Sequence, residues 1–260
     1  LGGPGQARSY AQELAARGVL CLGVCGLGMP DSEYQKAAPH VWGTLATPEQ
    51  YLLNVGDLMS RLIGKHAEFA GDEAMRQKQR VSGVVHFEQK VPVYTEVKEM
   101  ATAVSRSRGY EAAATETYIL DLPKLPERAT SIIAKMKDAG VTSIIFLGDP
   151  LMPMSLTKAA TDANYFPEWI VTGTVLTDTN ALARRYDPKQ WGNAFGISSL
   201  GAKTPREIAD AWRLHEGFHG APPAAKTTAP IIFSPVQMLF MGVHLAGPNL
   251  TPQSFRDGMF

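Results

Sequence analysis

The chain has no excess of charge: 25 Lys and Arg stand against 25 Asp and Glu in 260 residues, a formal net charge of zero. That balance excludes the basic footprint by which proteins hold nucleic acid. It also excludes a polybasic segment for an anionic membrane surface. Cysteine is scarce. Cys21 and Cys25 alone are too few for a disulfide framework, and no second Cys or His pair stands near them to complete a zinc site. They read as two small buried hydrophobes, with a local disulfide or a metal pair as the alternatives. There is no Gly-x-Ser-x-Gly elbow, no Cys has a neighbouring His in sequence, and the carboxylates are scattered. Catalytic constellations are therefore thin, and no cofactor fingerprint is complete. A long apolar run is missing too. The nearest, Pro230 to Gly247, carries Pro235, Gln237 and His244, and reads as a buried helix rather than a membrane span. The chain shows no starting Met, signal peptide or lipidation motif, and its last residues read like the middle of a helix and turn. A fragment of a longer protein is expected, so the missing targeting segment says little.

What is present is an ordinary globular composition, 45% apolar, arranged as alternating strands and helices. A helix fits Ala7 to Arg17, then a strand over Val19 to Val24 and a Gly-rich loop from Gly26. Thr47-Pro-Glu-Gln50 opens a helix toward Ile63, with Thr as cap and Pro in the first turn. Lys65 to Gln79 is polar and reads as a surface excursion at a lobe boundary. The rhythm then restarts with a strand over Val81 to Phe87, a helix ended by Gly109, a strand near Thr115 to Ile119 and a helix ended by Gly140. Val141 to Leu147 is nearly all apolar, as a strand covered on both faces requires. A helix over Ser155 to Ala163 and a strand over Trp169 to Thr172 follow. This order predicts a parallel sheet with right-handed crossovers. Beyond it lie a strand over Trp191 to Ser198 and a helix opened by Thr204-Pro-Arg-Glu207. A helix over Met238 to Ala246 and another started by Thr251-Pro-Gln-Ser254 complete the series.

Several stretches carry a family resemblance: Ala16-Arg-Gly-Val-Leu-Cys-Leu-Gly23, Pro39-His-Val-Trp42 with Thr47-Pro-Glu-Gln50, Arg80-Val-Ser-Gly-Val-Val-His86, the run from Ile132 to Gly148, and Leu245-Ala-Gly-Pro248 with Leu250-Thr-Pro-Gln-Ser-Phe255. In their order and spacing they resemble the type I periplasmic-binding proteins, the branched-chain amino-acid-binding-like receptors of ABC transporters. The resemblance implies an α/β fold of two Rossmann-like lobes with parallel sheets and a ligand cleft between them, incomplete here at both termini. Lobe one would comprise residues 1-78 plus 202-260 and lobe two residues 79-201. It implies an extracytoplasmic receptor, periplasmic or at the cell surface, with a lipid anchor as an open alternative, that binds a small solute by hinge closure. Its partners would be the solute (an amino acid, amide or related compound) and a membrane permease. It would be no enzyme. A ligand-sensing regulatory domain of the same fold is an alternative.

In open parallel sheets ligands sit outside the carboxyl ends of strands, so the loops after strands supply the contact candidates. These are Gly5 and Gln6 before the first helix; Gly26, Leu27 and Gly28, where Gly lets backbone approach a ligand; Phe87, Gln89 and Tyr94 after the first lobe-two strand; Asp149 and Pro150; and Gly173 and Thr174. Asp149 is the best single polar contact, against a reading as a helix cap or turn. The family's aliphatic amino-acid binders place an acidic residue near Gly173. Here Thr174, Val175 and Leu176 follow, with Asp178 further on, which puts aliphatic amino acids in doubt.

One motif points to another class. His215-Glu-Gly-Phe-His219 fits His-Glu-x-x-His, in which two His one turn apart hold zinc and Glu serves as base. Against a zinc hydrolase stand Gly217 inside the motif, Pro222 and Pro223 just beyond it, and His244 or Asp257 as the only third-ligand candidates.

Overall fold

A computed structural model describes residues 4–26, 28–88, 92–198, 204–226 and 229–260. The chain forms two compact units, Leu1–Pro48 with Gly201–Phe260, and Glu49–Leu200. The first boundary lies well before the expected residue 79, and the second one residue from the expected 202.

The first unit opens with α1 (Pro4–Ala16), β1 (Cys21–Gly23), α2 (Asp31–Ala37) and β2 (Val41–Gly43). Helix α1 starts three residues earlier than its apolar stripe predicts, because Pro4 suits a first helical turn. Strands β1 and β2 pair in parallel. Ala11, Met29, Ala37 and Val41 form a small core over them. The two cysteines are disulfide-bonded, which corrects their reading as free buried thiols. Their Cα atoms stand 6.2 Å apart, within bridging range.

The second unit opens with α3 (Pro48–Leu62) and the short α4 (Glu73–Arg76). It continues β3 (Ser82–Phe87), α5 (Pro92–Ser107), β4 (Ala114–Tyr118), α6 (Leu125–Asp138), β5 (Ser143–Leu147), α7 (Met152–Asp162), β6 (Glu168–Val171), α8 (Asn180–Ala183), α9 (Pro188–Trp191) and β7 (Ala194–Gly196). The five strands lie in the order β4-β3-β5-β6-β7, all parallel. Successive side chains of a strand face opposite sides. Ile144 and Phe146 therefore join Ile132, Ile133 and Met136 of α6 and Leu156 of α7 on one face. Ile145 and Ile170 turn to the other face and meet Val55 and Met59 of α3. That packing is why α3 belongs to this unit. On the same face Gly56 is so close to Val104 of α5 that a Cβ would lie 2.5 Å from a valine methyl. Both sheet faces are thus covered, as the apolar run Val141 to Leu147 predicts.

The chain then returns to the first unit with α10 (Asp210–His219), α11 (Ala229–Ala246) and α12 (Pro252–Met259). A 3-10 turn over Arg206–Ile208 takes up the residues expected to begin α10. Thr251 caps α12 reciprocally with Ser254. Gly242 of α11 seats the ring of Phe255, which is 1% exposed. The expectation that the Pro230 to Gly247 stretch is a buried helix is not met. Only Gly242 is buried in α11, while Ile231, Phe240 and Leu245 are exposed. Among the described residues α11 alone is long and apolar enough to cross a membrane, by length and composition. Its apolar residues surround the axis, and one face suffices for packing on α12.

Candidate functional site

In the second unit the strand order reverses between β3 and β5. Their connections leave toward opposite faces, and in open parallel sheets the carboxyl ends of such strands are where ligands sit. Five of the expected contact residues gather along this edge: Phe87, Asp149, Pro150, Gly173 and Thr174.

Gly148 leaves β5 where no side chain fits, since a Cβ would run into the Tyr118 hydroxyl and lie 2.7 Å from Phe146 Cζ. Asp149 follows and is buried. The Tyr118 hydroxyl donates to its Oδ2, and its own N–H donates to the Tyr118 oxygen at 3.1 Å. Its Oδ1 accepts from the backbone N–H of Leu151 at 2.7 Å and of Met152 at 3.3 Å. Both carboxylate oxygens are therefore engaged, Oδ1 in the turn that starts α7 and Oδ2 by Tyr118. Burial, and then the Asp149 charge, push the Tyr118 hydroxyl far above its ordinary pKa. The Pro150 carbonyl accepts from Tyr186 Oη at 3.0 Å. Burial, with a smaller push from Asp149, raises the Tyr186 hydroxyl to about 12. Phe87, Tyr118 and Phe146 form an aromatic row, with centroids 5.5 and 6.1 Å apart. Beside it, burial and then the Lys98 charge lower the pKa of His86.

Past β6, Thr172 Oγ1 donates to the Phe146 carbonyl at 2.7 Å. Thr174 Oγ1 donates to the Gly148 carbonyl at 3.1 Å and accepts from its N–H at 3.2 Å, tying the two loops together. Gly173 takes a left-handed φ of 74°, and a Cβ there would stand 3.3 Å from both Asp178 Oδ2 and the Ile197 carbonyl. Val175 and Leu176 are also left-handed, with φ 47° and 64°, and are 61% and 48% exposed. A β-branched residue in that region stores strain of about 1–2 kcal/mol.

Sequence reasoning did not place Asp178 in this site. The turn over 174–177 folds it back beneath Gly173, where its Oδ2 accepts from the Ser198 hydroxyl. Its Oδ1 is buried without a partner, and so is the hydroxyl of Thr177. Unsatisfied buried oxygens are costly and uncommon. The available signal was the acidic residue five positions after the strand-ending Gly173.

The other expected contacts lie in the first unit. Gly5 and Gln6 are in the first turn of α1 rather than in a loop before it. Gly26 lies under the ring of Tyr34, whose hydroxyl donates to its carbonyl at 2.8 Å. Gly28 has a left-handed φ of 75°. Tyr94 is in the first turn of α5 in the second unit. Leu27 and Gln89 lie outside the described residues. The zinc motif ends α10: the rings of His215 and His219 stand 4.6 Å apart, but among the described residues no group of three His, Cys, Asp or Glu forms a metal site. Neither His244 nor Asp257 supplies the third ligand.

No family model matches the chain, and no curated protein matches its sequence. Solved structures do match its fold. A type 1 periplasmic binding protein from Bordetella pertussis Tohama I aligns at TM-score 0.61 and 15% identity, over 98% of this chain and 66% of its own. The chain has the type I periplasmic-binding fold. An amino acid ABC transporter substrate-binding protein from Pseudomonas fluorescens Pf-5 aligns at TM-score 0.60 and 10% identity, over 98% and 69%. A fatty acid ABC transporter substrate-binding protein from Thermomonospora curvata aligns at 0.56 and 14%, over 98% and 66%. The chain thus spans about two thirds of the length of these three structures.

Proposed function

We propose that the chain is the solute-binding part of an ABC-type uptake system and has no chemistry of its own. The observation that carries this reading is the carboxyl edge of the five-stranded parallel sheet. A strand-order reversal, a strained exposed loop and a carboxylate with one unpartnered oxygen coincide there. Solved structures of the same fold that are named as substrate-binding proteins of amino acid and fatty acid ABC transporters support it.

In this proposal the solute lies against Phe87, the Gly148–Pro150 turn and Gly173–Thr174, with Asp178 receiving an ammonium or amide N–H of the solute. Asp149 acts by holding its turn, since Tyr118 and two backbone N–H groups already engage it. The hinge closure, the permease partner and the extracytoplasmic location belong to the same proposal. The Cys21–Cys25 disulfide fits an oxidising compartment.

Thermal melts against a panel of amino acids, amides, short peptides and fatty acids test it. A solute at one hundred times its dissociation constant stabilises by about 2.7 kcal/mol. No shift from any of these classes overturns the reading. Small-angle scattering with and without the solute tests closure separately.

A further inference from the structure

We propose that the end of α10 is a two-histidine binding site for a borderline divalent transition-metal ion, of the Cu2+, Ni2+ and Zn2+ class. His215 and His219 are one turn apart, so both rings leave the same face of the helix, and their centroids stand 4.6 Å apart.

The backbone prepares one of the two for metal. His215 Nδ1 lies 2.9 Å from the Ala221 carbonyl oxygen. A carbonyl can only accept, so Nδ1 carries a proton and donates it, and Nε2 is the nitrogen left to face a metal. That is the tautomer a ligating imidazole needs, and a backbone carbonyl on the far nitrogen is a common support for it. The carbonyl arrives there because Gly220 takes a left-handed φ of 65°, which ends the helix and turns the chain back toward His215. The Gly-Ala after the motif is thus part of the arrangement.

Access and charge agree with the assignment. His219 is exposed and His215 partly so. The helix ends here, so its last carbonyls present the negative end of the dipole to a cation. Imidazole ligands suit Cu2+, Ni2+ and Zn2+, whereas Mg2+ and Ca2+ take oxygen ligands. Water fills the remaining positions. Without a third protein ligand the site has the anchor of a zinc hydrolase but not its geometry, so it binds an ion and pins the last turn of α10. It is independent of the proposed solute site.

Calorimetric titration of the full chain with CuCl2, ZnCl2 and MgCl2 tests this, with NMR of the histidine rings. The expected result is one Cu2+ per chain, weaker Zn2+ and no Mg2+ binding, with only the His215 and His219 rings perturbed. His215→Ala and His219→Ala should each weaken Cu2+ binding at least about tenfold. Both change a solvent-facing end of a helix, and unchanged circular dichroism confirms their folding. His244→Ala should bind as the parent does. Absence of Cu2+ binding, or parental affinity in either single variant, overturns the proposal.

Discussion

Glu168 and Asp178, at the two edges of the second-unit sheet, use their carboxylate oxygens in opposite ways. At the amino edge, where β5 and β6 begin, Glu168 is fully buried and fully engaged. Arg80 meets it with two parallel hydrogen bonds of 2.7 and 2.8 Å, Ser143 Oγ adds one of 2.5 Å and the Phe69 N–H one of 2.9 Å. The guanidinium is itself 1% exposed and also lies 5.9 Å from the Phe195 ring centroid. At the carboxyl edge, Asp178 Oδ1 and the Thr177 hydroxyl have no partner, and two non-glycine residues hold left-handed backbone. Burying a charge is tolerated only when it is paired and hydrogen-bonded. The amino edge meets that condition and tethers the segment before β3 to the sheet. The carboxyl edge leaves capacity unused, as expected of a surface that completes itself with a solute. On the proposed reading, orphaned polar atoms and strain together, rather than charge alone, mark the edge that takes the solute.

The contrast can be broken most forcefully at Glu168. Glu168→Gln leaves Arg80 without its counter-charge, and urea denaturation should show a loss of about 3–5 kcal/mol. A loss below about 1 kcal/mol would mean the amino edge is not the structural anchor. Asp178→Asn should do the reverse. Solute affinity should fall about tenfold or more, roughly 1.4 kcal/mol, while the urea midpoint hardly moves. A large drop in stability with unchanged affinity would make Asp178 a structural residue. Val175→Asn sharpens the strain argument, because Asn tolerates left-handed backbone. It should stabilise the fold by about 1 kcal/mol, and a destabilised variant would show that the valine side chain outweighs its backbone cost.

The smallest expected effect is a pH dependence in the other unit. Lys36, with Arg8 and Gln12, holds the buried Glu33 carboxyl down to about 2. The folded value lies below the unfolded one, so the stabilisation is complete above the ordinary carboxylate value of 4.5. It is lost as pH falls from there through about 2. Glu33→Gln should flatten that part of a stability-against-pH curve. An unchanged curve would remove the cluster from the acid response.

Local periodicity made most of the second-unit architecture readable in advance. The apolar run Val141 to Leu147 announces a strand covered on both faces, and the Gly stops at 109 and 140 mark where helices end. Both glycines indeed have left-handed φ, 67° and 68°. Reading the loops after strands located the Gly148–Pro150 and Gly173–Thr174 turns, because a parallel sheet places all its carboxyl ends on one edge. Pattern cannot show which polar atoms are already engaged. Asp149 looks like an available contact in sequence, yet a tyrosine 31 residues away and the start of α7 use both of its oxygens.

By itself, then, the sequence determined the parallel α/β alternation and the loops that follow its strands, since these follow from burial at period two or 3.6 and from local turn chemistry. Only the tertiary structure decided that α3 joins the second unit, that Cys21 and Cys25 are bridged, that α11 lies exposed, and that Asp178 rather than Asp149 keeps a free carboxylate oxygen. For all but the local Cys21–Cys25 bridge the physical reason is the same. They depend on which distant surfaces meet and how a few left-handed residues redirect the chain, and neither leaves a periodic trace along it.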